Sequence, residues 1–249
     1  MDNPFSLEGK RILITGASSG IGRACAIQAS RLGADIILTG RRADALEETR
    51  AFCVGENHLV VSGDITSTDF ITKLAAQSGK IDGLVHAAGV GPMCPISVVT
   101  REHVEEVMRT NYYSFMELVV TFSKRKYRNQ CLSVVAISSI SALAGWSGIS
   151  VYSGSKGAVS SSVRSMAIEL AGKGIRINAV CPSNIKTPMY DAGVDGVHTK
   201  ESEQKIIERQ PLGLGAPDQV AWPVCFLLSD ASSFITGINL PIDGGYLAQ

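Results

Sequence analysis

The chain has 249 residues, room for one large α/β domain or two small ones, and its 45% hydrophobic and 18% charged content suits a packed core rather than disorder. Lys plus Arg and Asp plus Glu each total 23, so there is no net field to favour nucleic acid or an anionic membrane. The six cysteines form no C-x-x-C pair, which points away from a zinc site or a disulfide framework, and no run reaches the ~18 apolar residues of a membrane span; we expect a cytoplasmic protein without a metal.

The first apolar run, Arg11 to Thr15, predicts a strand, and Ile21 to Leu32 a helix. Between them stands Thr15-Gly16-Ala17-Ser18-Ser19-Gly20-Ile21-Gly22. Gly16 allows a tight exit from the strand, Gly20 a close approach of backbone N–H groups to a diphosphate, and Gly22 close packing of helix on sheet. A glycine trio alone marks an ordinary turn about as often as a nucleotide site. Placed between strand and helix, with Ser18, Ser19 and Ile21 in the loop, it reads as a dinucleotide-binding turn at a helix N-terminus.

The next strand, Asp35 to Thr39, leads through Gly40 to Arg41 and Arg42 and a helix over Ala43 to Phe52. A carboxylate here would hold the ribose hydroxyls of NAD and repel a 2′-phosphate. Two guanidinium groups stand in its place, so we expect NADP(H) to be preferred over NAD(H), with Arg41 as the main phosphate contact; the alternative is that both arginines only solvate the helix start. After the strand His58 to Ser62 come Asp64 and Ile65, where the acid could accept from an adenine amino group or simply cap a turn. A helix over Thr68 to Gln77 and a strand over Gly83 to His86 follow. Ala87-Ala88-Gly89 then offers small residues where a cofactor would cross the sheet edge.

A long helix is expected over Arg101 to Arg125, with Asn111 inside it; an amide there is ordinarily a surface residue, and if buried it needs partners. The basic run Lys124 to Arg128 reads as a solvated helix end. After the strand Leu132 to Ile137, Ser138, Ser139 and Ser141 compete for one role, a hydroxyl at a strand's carboxyl end that polarises a carbonyl. Ser139 is the favoured one. Tyr152 and Lys156 lie four apart at the start of a helix over Ser153 to Ala171, on one face. A nearby cation favours the phenolate of a tyrosine whose free pKa is about 10, so Lys156 is expected to tune Tyr152 as proton donor.

A strand at Ile175 to Val180, a helix at Pro217 to Leu228 and a weaker strand at Gly237 to Ile242 complete the series. They leave one irregular stretch, Pro182 to Leu214, with the Gly193/Gly196 pair and a short helical pattern at Glu201 to Arg209; a long excursion of this kind suggests a substrate lid at about 183–214. Strand and helix alternate throughout, with no repeat or linker. That predicts one α/β domain with a doubly wound parallel sheet and helices on both faces.

Together, TGASSGIG, Asn111 in RTNYYSF, Ser139 with Tyr152-Ser-Gly-Ser-Lys156, and the closing ITGINLPIDGG resemble the short-chain dehydrogenase/reductase family over essentially the whole chain. The resemblance implies a seven-stranded Rossmann sheet and a catalytic tetrad of Asn111, Ser139, Tyr152 and Lys156. It implies hydride transfer between a nicotinamide and a carbonyl or secondary alcohol, with Pro182, Ile185 and Thr187 at the nicotinamide, and a homotetramer. The family's usual Asn-Asn-Ala-Gly reads His86-Ala87-Ala88-Gly89 here, and its Pro-Gly reads Pro182-Ser183. His86 is expected to be a satisfied core group. The substrate is expected to be a small molecule in a pocket with Met93, Trp146, Met189 and Tyr190. A beta-ketoacyl carrier-protein reductase, docking its carrier on Lys124, Arg125, Arg128 and Lys173, is an alternative, as is a non-catalytic dinucleotide sensor on the same fold.

Overall fold

Short runs of consecutive apolar residues form the strands of a single sheet in the computed structural model, which describes residues 3–192 and 200–249. The strands are β1 (Arg11–Thr15), β2 (Asp35–Gly40), β3 (Leu59–Ser62), β4 (Ile81–His86), β5 (Arg128–Ile137), β6 (Ile175–Pro182) and β7 (Asn239–Ile242). All pair in parallel, in the order β3-β2-β1-β4-β5-β6-β7. The direction of winding reverses between β1 and β4, which opens a crevice at the carboxyl ends of the strands.

The absence of polar alternation has its cause in burial on both faces. Ile12 and Ile14 belong to one core and Leu13, between them, to the other, and all three are fully buried. The first core is closed by α1 (Gly20–Arg31), α2 (Ala43–Phe52) and α9 (Pro217–Leu228) through Cys25, Leu46 and Val224. The second is closed by α3 (Thr68–Ser78), α5 (Ser114–Phe122) and α6 (Ser150–Ala171) through Leu74, Phe115 and Val163.

The helix expected over Arg101 to Arg125 is not continuous. It runs as α4 (Arg101–Met108), then one π-turn at Arg109–Tyr113, then α5. The N–H of Ser114 donates to the carbonyl of Arg109, five residues back, and this widened turn pushes Asn111 into the interior. α5 ends at Phe122, so the basic run is not a helix end. Arg128 opens β5 and is buried, its guanidinium donating to the carbonyls of Ser123, Asn129 and Gln130. β5 therefore begins four residues before the expected Leu132, and α6 three before Ser153.

The excursion after β6 contains α7 (Pro188–Ala192) and α8 (Lys200–Arg209). The Gly193/Gly196 pair lies outside the described residues. No helix among the described residues is long and apolar enough to cross a membrane.

Candidate active site

The crevice at the carboxyl edge of β1 and β4 is a cleft of about 1220 Å³. Its floor is the glycine loop. Gly16 has φ +64°, and a Cβ there would stand 2.8 Å from the backbone of Ala87 and Ala88, so only glycine fits. Thr15, fully buried, uses its hydroxyl oxygen to accept from the N–H groups of both Ala87 (3.1 Å) and Ala88 (3.0 Å), which ties the loop after β4 to the loop after β1. At the α1 N-terminus Ser19 makes no side-chain cap, and the first turn holds no acid. The unpaired donors of that turn face the cleft with Ser18, Ser19, Gly20, Ile21 and Gly22, an arrangement that fits a dinucleotide diphosphate.

Further along the wall, Arg41, Arg42, Asp64 and Ile65 line the cleft. Arg42 donates to the hydroxyl of Ser18 at 3.2 Å, while Arg41 stands exposed beside Asp64. One oxygen of Asp64 accepts from the N–H and hydroxyl of Thr66, both at 2.9 Å. These bonds hold its carboxyl below the usual carboxylate range, with Arg41 and Arg109 adding to the effect. The turn role and the free second oxygen thus coexist.

At the other end, Tyr152 and Lys156 project from the first two turns of α6 into the cleft, beside Ser139. The three serines after β5 are sorted by their partners. Ser138 points backwards, donating to the carbonyl of Lys156 at 3.0 Å and meeting Ser160 at 2.7 Å. Ser139 accepts from the N–H of Ser141 at 3.1 Å and turns its hydroxyl to the cleft, where it meets the Tyr152 phenol. The ring of Tyr152 packs so closely on the loop after β4 that a Cβ on Gly91 would stand 3.2 Å from it.

Lys156 Nζ donates to the carbonyl of Ile137 at 2.7 Å and lies 5.8 Å from the Tyr152 ring centre. Burial pulls its pKa down to about 8. Burial also pushes the Tyr152 phenol up, opposed by a hydrogen bond with Ser139. In this arrangement the Lys156 ammonium is engaged by the Ile137 carbonyl while it stands over the Tyr152 ring.

Asn111 does not line the cleft; it lies fully buried behind its wall. Its amide pairs with both backbone groups of Val90, accepting at 2.8 Å and donating at 2.9 Å, and donates again to Ser155 Oγ at 2.9 Å. Gly89 passes close enough that a Cβ would meet Asn111 Oδ1 at 3.3 Å and Lys156 Nζ at 3.4 Å. His86, expected to be satisfied, is only half so: Nε2 meets Ser114 Oγ at 3.0 Å, and Nδ1 is buried without a partner among the described residues. Its pKa is pulled down to about 3, first by burial and then by the charge of Lys156.

Comparison with known proteins gives the family. The family model described as enoyl-(acyl carrier protein) reductase matches residues 16–247. An L-rhamnose 1-dehydrogenase (NAD(P)(+)) of Sphingomonas sp. (strain SKA58) is 36% identical over 248 residues, 96% of each chain. The chain belongs to the short-chain dehydrogenase/reductase family. A 3-oxoacyl-(acyl-carrier-protein) reductase of Rickettsia bellii is 33% identical, covering 98% of this chain and 99% of that one. A short-chain type dehydrogenase/reductase structure from Mycobacterium marinum superposes with a TM-score of 0.89 at 29% identity, over 99% of this chain and 98% of that one. A 7α-hydroxysteroid dehydrogenase complexed with NADH and a 7-oxo bile acid gives 0.88 at 31% identity, over 98% of each. Short-chain dehydrogenases/reductases act on alcohol and carbonyl groups, and this member is an enzyme of that kind.

In this family member, Pro182, Ile185 and Thr187 line the cleft, as do Met93, Trp146, Met189 and Tyr190. Four residues with structural work at the site were not singled out from the sequence: Thr15, Gly91, Arg109 and Gln210. Gln210 is buried, accepts from the hydroxyl of Ser183 at 2.7 Å and donates to the carbonyls of Asn184 and Gly213. It thereby joins the two ends of the excursion after β6. Its only sequence signal was a polar residue between two breaks, which is common in any loop.

Proposed function

We propose that this enzyme prefers NADP(H) and interconverts a carbonyl and a secondary alcohol on a small molecule, with Tyr152 exchanging the proton at the substrate oxygen. The observation that carries this is the convergence of Ser139, Tyr152 and Lys156 on one wall of the cleft, beside the glycine loop. The nicotinamide supplies or accepts the hydride when bound. Ser139 donates a hydrogen bond to the substrate oxygen and orients it; Tyr152 gives or takes the one proton that accompanies the hydride; Lys156 places a positive charge behind the phenol. Asn111, from behind, holds Val90 and Ser155 in register. Pro182, Ile185 and Thr187 meet the nicotinamide, while Ala87, Ala88, Gly89 and Ile65 form the wall along the adenosine half.

Arg41 and Arg42 take the 2′-phosphate, since no carboxylate ends β2 to hold a bare ribose. Residues 183–214, of which 193–199 lie outside the described residues, are proposed as a lid over the substrate. The chain is proposed to work as a cytoplasmic homotetramer, in keeping with six free cysteines. Two reductase relatives name an acyl carrier protein, but Arg128 is spent on backbone carbonyls and is lost to such a carrier, which weakens the docking patch although Lys124, Arg125, Lys126 and Lys173 are exposed. Small free substrates are therefore preferred in this proposal. A panel of carbonyl and alcohol compounds followed at the NADPH absorbance, in parallel with NADH, tests it; Tyr152→Phe should bind NADPH and lose nearly all turnover. Normal turnover by that variant, or a preference for NADH, would overturn the respective part.

A further inference from the structure

His86 ends β4 in the middle of the sheet, between Thr15 and Ala136, 1% exposed, with its ring 5.4 Å from that of Phe115. Its proton can be located from its neighbours. Ser114 Oγ lies 2.6 Å from the carbonyl oxygen of Thr110, and a carbonyl can only accept, so the single hydroxyl proton is spent there. The 3.0 Å contact to His86 must then run the other way, from an Nε2–H into the Ser114 oxygen. That fixes the neutral Nε2–H tautomer and leaves Nδ1 as the unpartnered buried atom.

The acceptor of this relay is the π-turn. Because the N–H of Ser114 reaches back to Arg109, it cannot serve the carbonyl of Thr110 as it would in an α-helix, and the Ser114 hydroxyl does so instead. One residue after Thr110 is Asn111, held to Val90 and to Ser155; Ser155 in turn donates to the carbonyl of Tyr152 at 2.7 Å. Two sets of hydrogen bonds, linked through the backbone from Thr110 to Asn111, thus join the end of β4 to the turn that carries the phenol.

We infer that His86 is a positioning residue for this reaction: its Nε2–H holds the Ser114 hydroxyl on the Thr110 carbonyl, which keeps the π-turn open and Asn111 seated against Val90 and the Tyr152 turn. This deepens the proposed function and rests on it. A buried imidazole with an unpartnered nitrogen costs stability, and the positioning role accounts for its presence.

The test compares His86→Phe, which keeps a ring and deletes the donor, with His86→Gln, whose amide nitrogen reaches a similar distance from the backbone. Ser114→Ala is made alone and combined with His86→Phe, so that a folding failure in one variant leaves the other readable. His86→Phe and Ser114→Ala should each lower kcat ten- to a hundred-fold, as sub-ångström to 1 Å misplacements do, with the KM for NADPH within twofold. His86→Gln should recover most of kcat, and the double variant should lose no more than either single one. Unchanged kcat in the single variants, a Gln variant as impaired as Phe, or losses that multiply in the double variant would each overturn the role. Tyr152→Phe separates the two levels: if it is inactive while His86→Phe and Ser114→Ala are fully active, only the positioning role falls. If Tyr152→Phe turns over normally, the reading of the site falls and this role with it.

Discussion

Lys156 Nζ donates to the carbonyl oxygen of Ile137 at 2.7 Å, a bond between helix α6 and the last residue of β5. The ammonium is almost fully buried, and its pKa falls from 10.5 to about 8. Between those two pH values the unfolded chain holds a proton that the folded one has released, so stability should rise with pH across the window, by up to about 3 kcal/mol. Lys156→Met, nearly the same size, should be favoured over the wild type in urea at pH 7 and lose that advantage by pH 10. An advantage that does not change with pH would remove burial as the cause.

The same group sets an expectation for turnover. A reduction that needs Lys156 charged should show kcat/KM falling above about pH 8 with the loss of one proton. Lys156→Arg cannot titrate in that range and should show no such limb, at whatever lower rate it retains. A limb that persists in the Arg variant belongs to another group.

Gly91 faces the ring of Tyr152, and a methyl there would stand 3.2 Å from two ring carbons. Gly91→Ala is expected to displace the phenol by a few tenths of an ångström and lower kcat about tenfold, with NADPH affinity held within twofold. Fluorescence titration of NADPH beside steady-state kinetics reads both. Equal losses in binding and turnover would mean the loop itself had moved.

For the nucleotide, Arg42→Ala and Arg41→Ala should each raise the KM for NADPH about ten- to a hundred-fold, the range of a charge-assisted hydrogen bond, and change the KM for NADH by less than threefold. The bond from Arg42 to Ser18 ranks Arg42 with Arg41 rather than behind it. Parallel losses for both cofactors would assign the arginines to the fold.

Thr15→Val keeps shape but deletes the acceptor of Ala87 and Ala88, leaving two backbone N–H groups to find other partners. A loss of about 1–3 kcal/mol is expected, or a Tm roughly 2–10 °C lower for a chain of this size. Differential scanning of the two proteins decides it; an unchanged Tm would show that water replaces the hydroxyl.

What could be read from the sequence divides along the range of the interactions. The strands, the glycine turn and the pairing of Tyr152 with Lys156 follow from neighbouring residues, and the structure places them at one crevice as expected. The break in the helix between Arg101 and Arg125 was not legible, because its cause lies in partners 21 and 44 residues away, Val90 and Ser155. Periodicity over Arg109 to Tyr113 is nearly the same for an α-turn and a π-turn. Arg128 misled for the same reason: its charge suggested solvent, whereas three backbone carbonyls take it inside. The orientation of Lys156 towards Ile137 depends on where the strand ends, and spacing along the helix cannot show it.

The Thr15 hydroxyl has one more effect. Since it braces the segment after β4 from within the protein, the wall that a nucleotide would meet is set before any nucleotide arrives, and little chain freedom is left to surrender on docking. Cofactor association should then be fast and governed by diffusion and charge, with selectivity between nucleotides expressed chiefly in how slowly the right one departs.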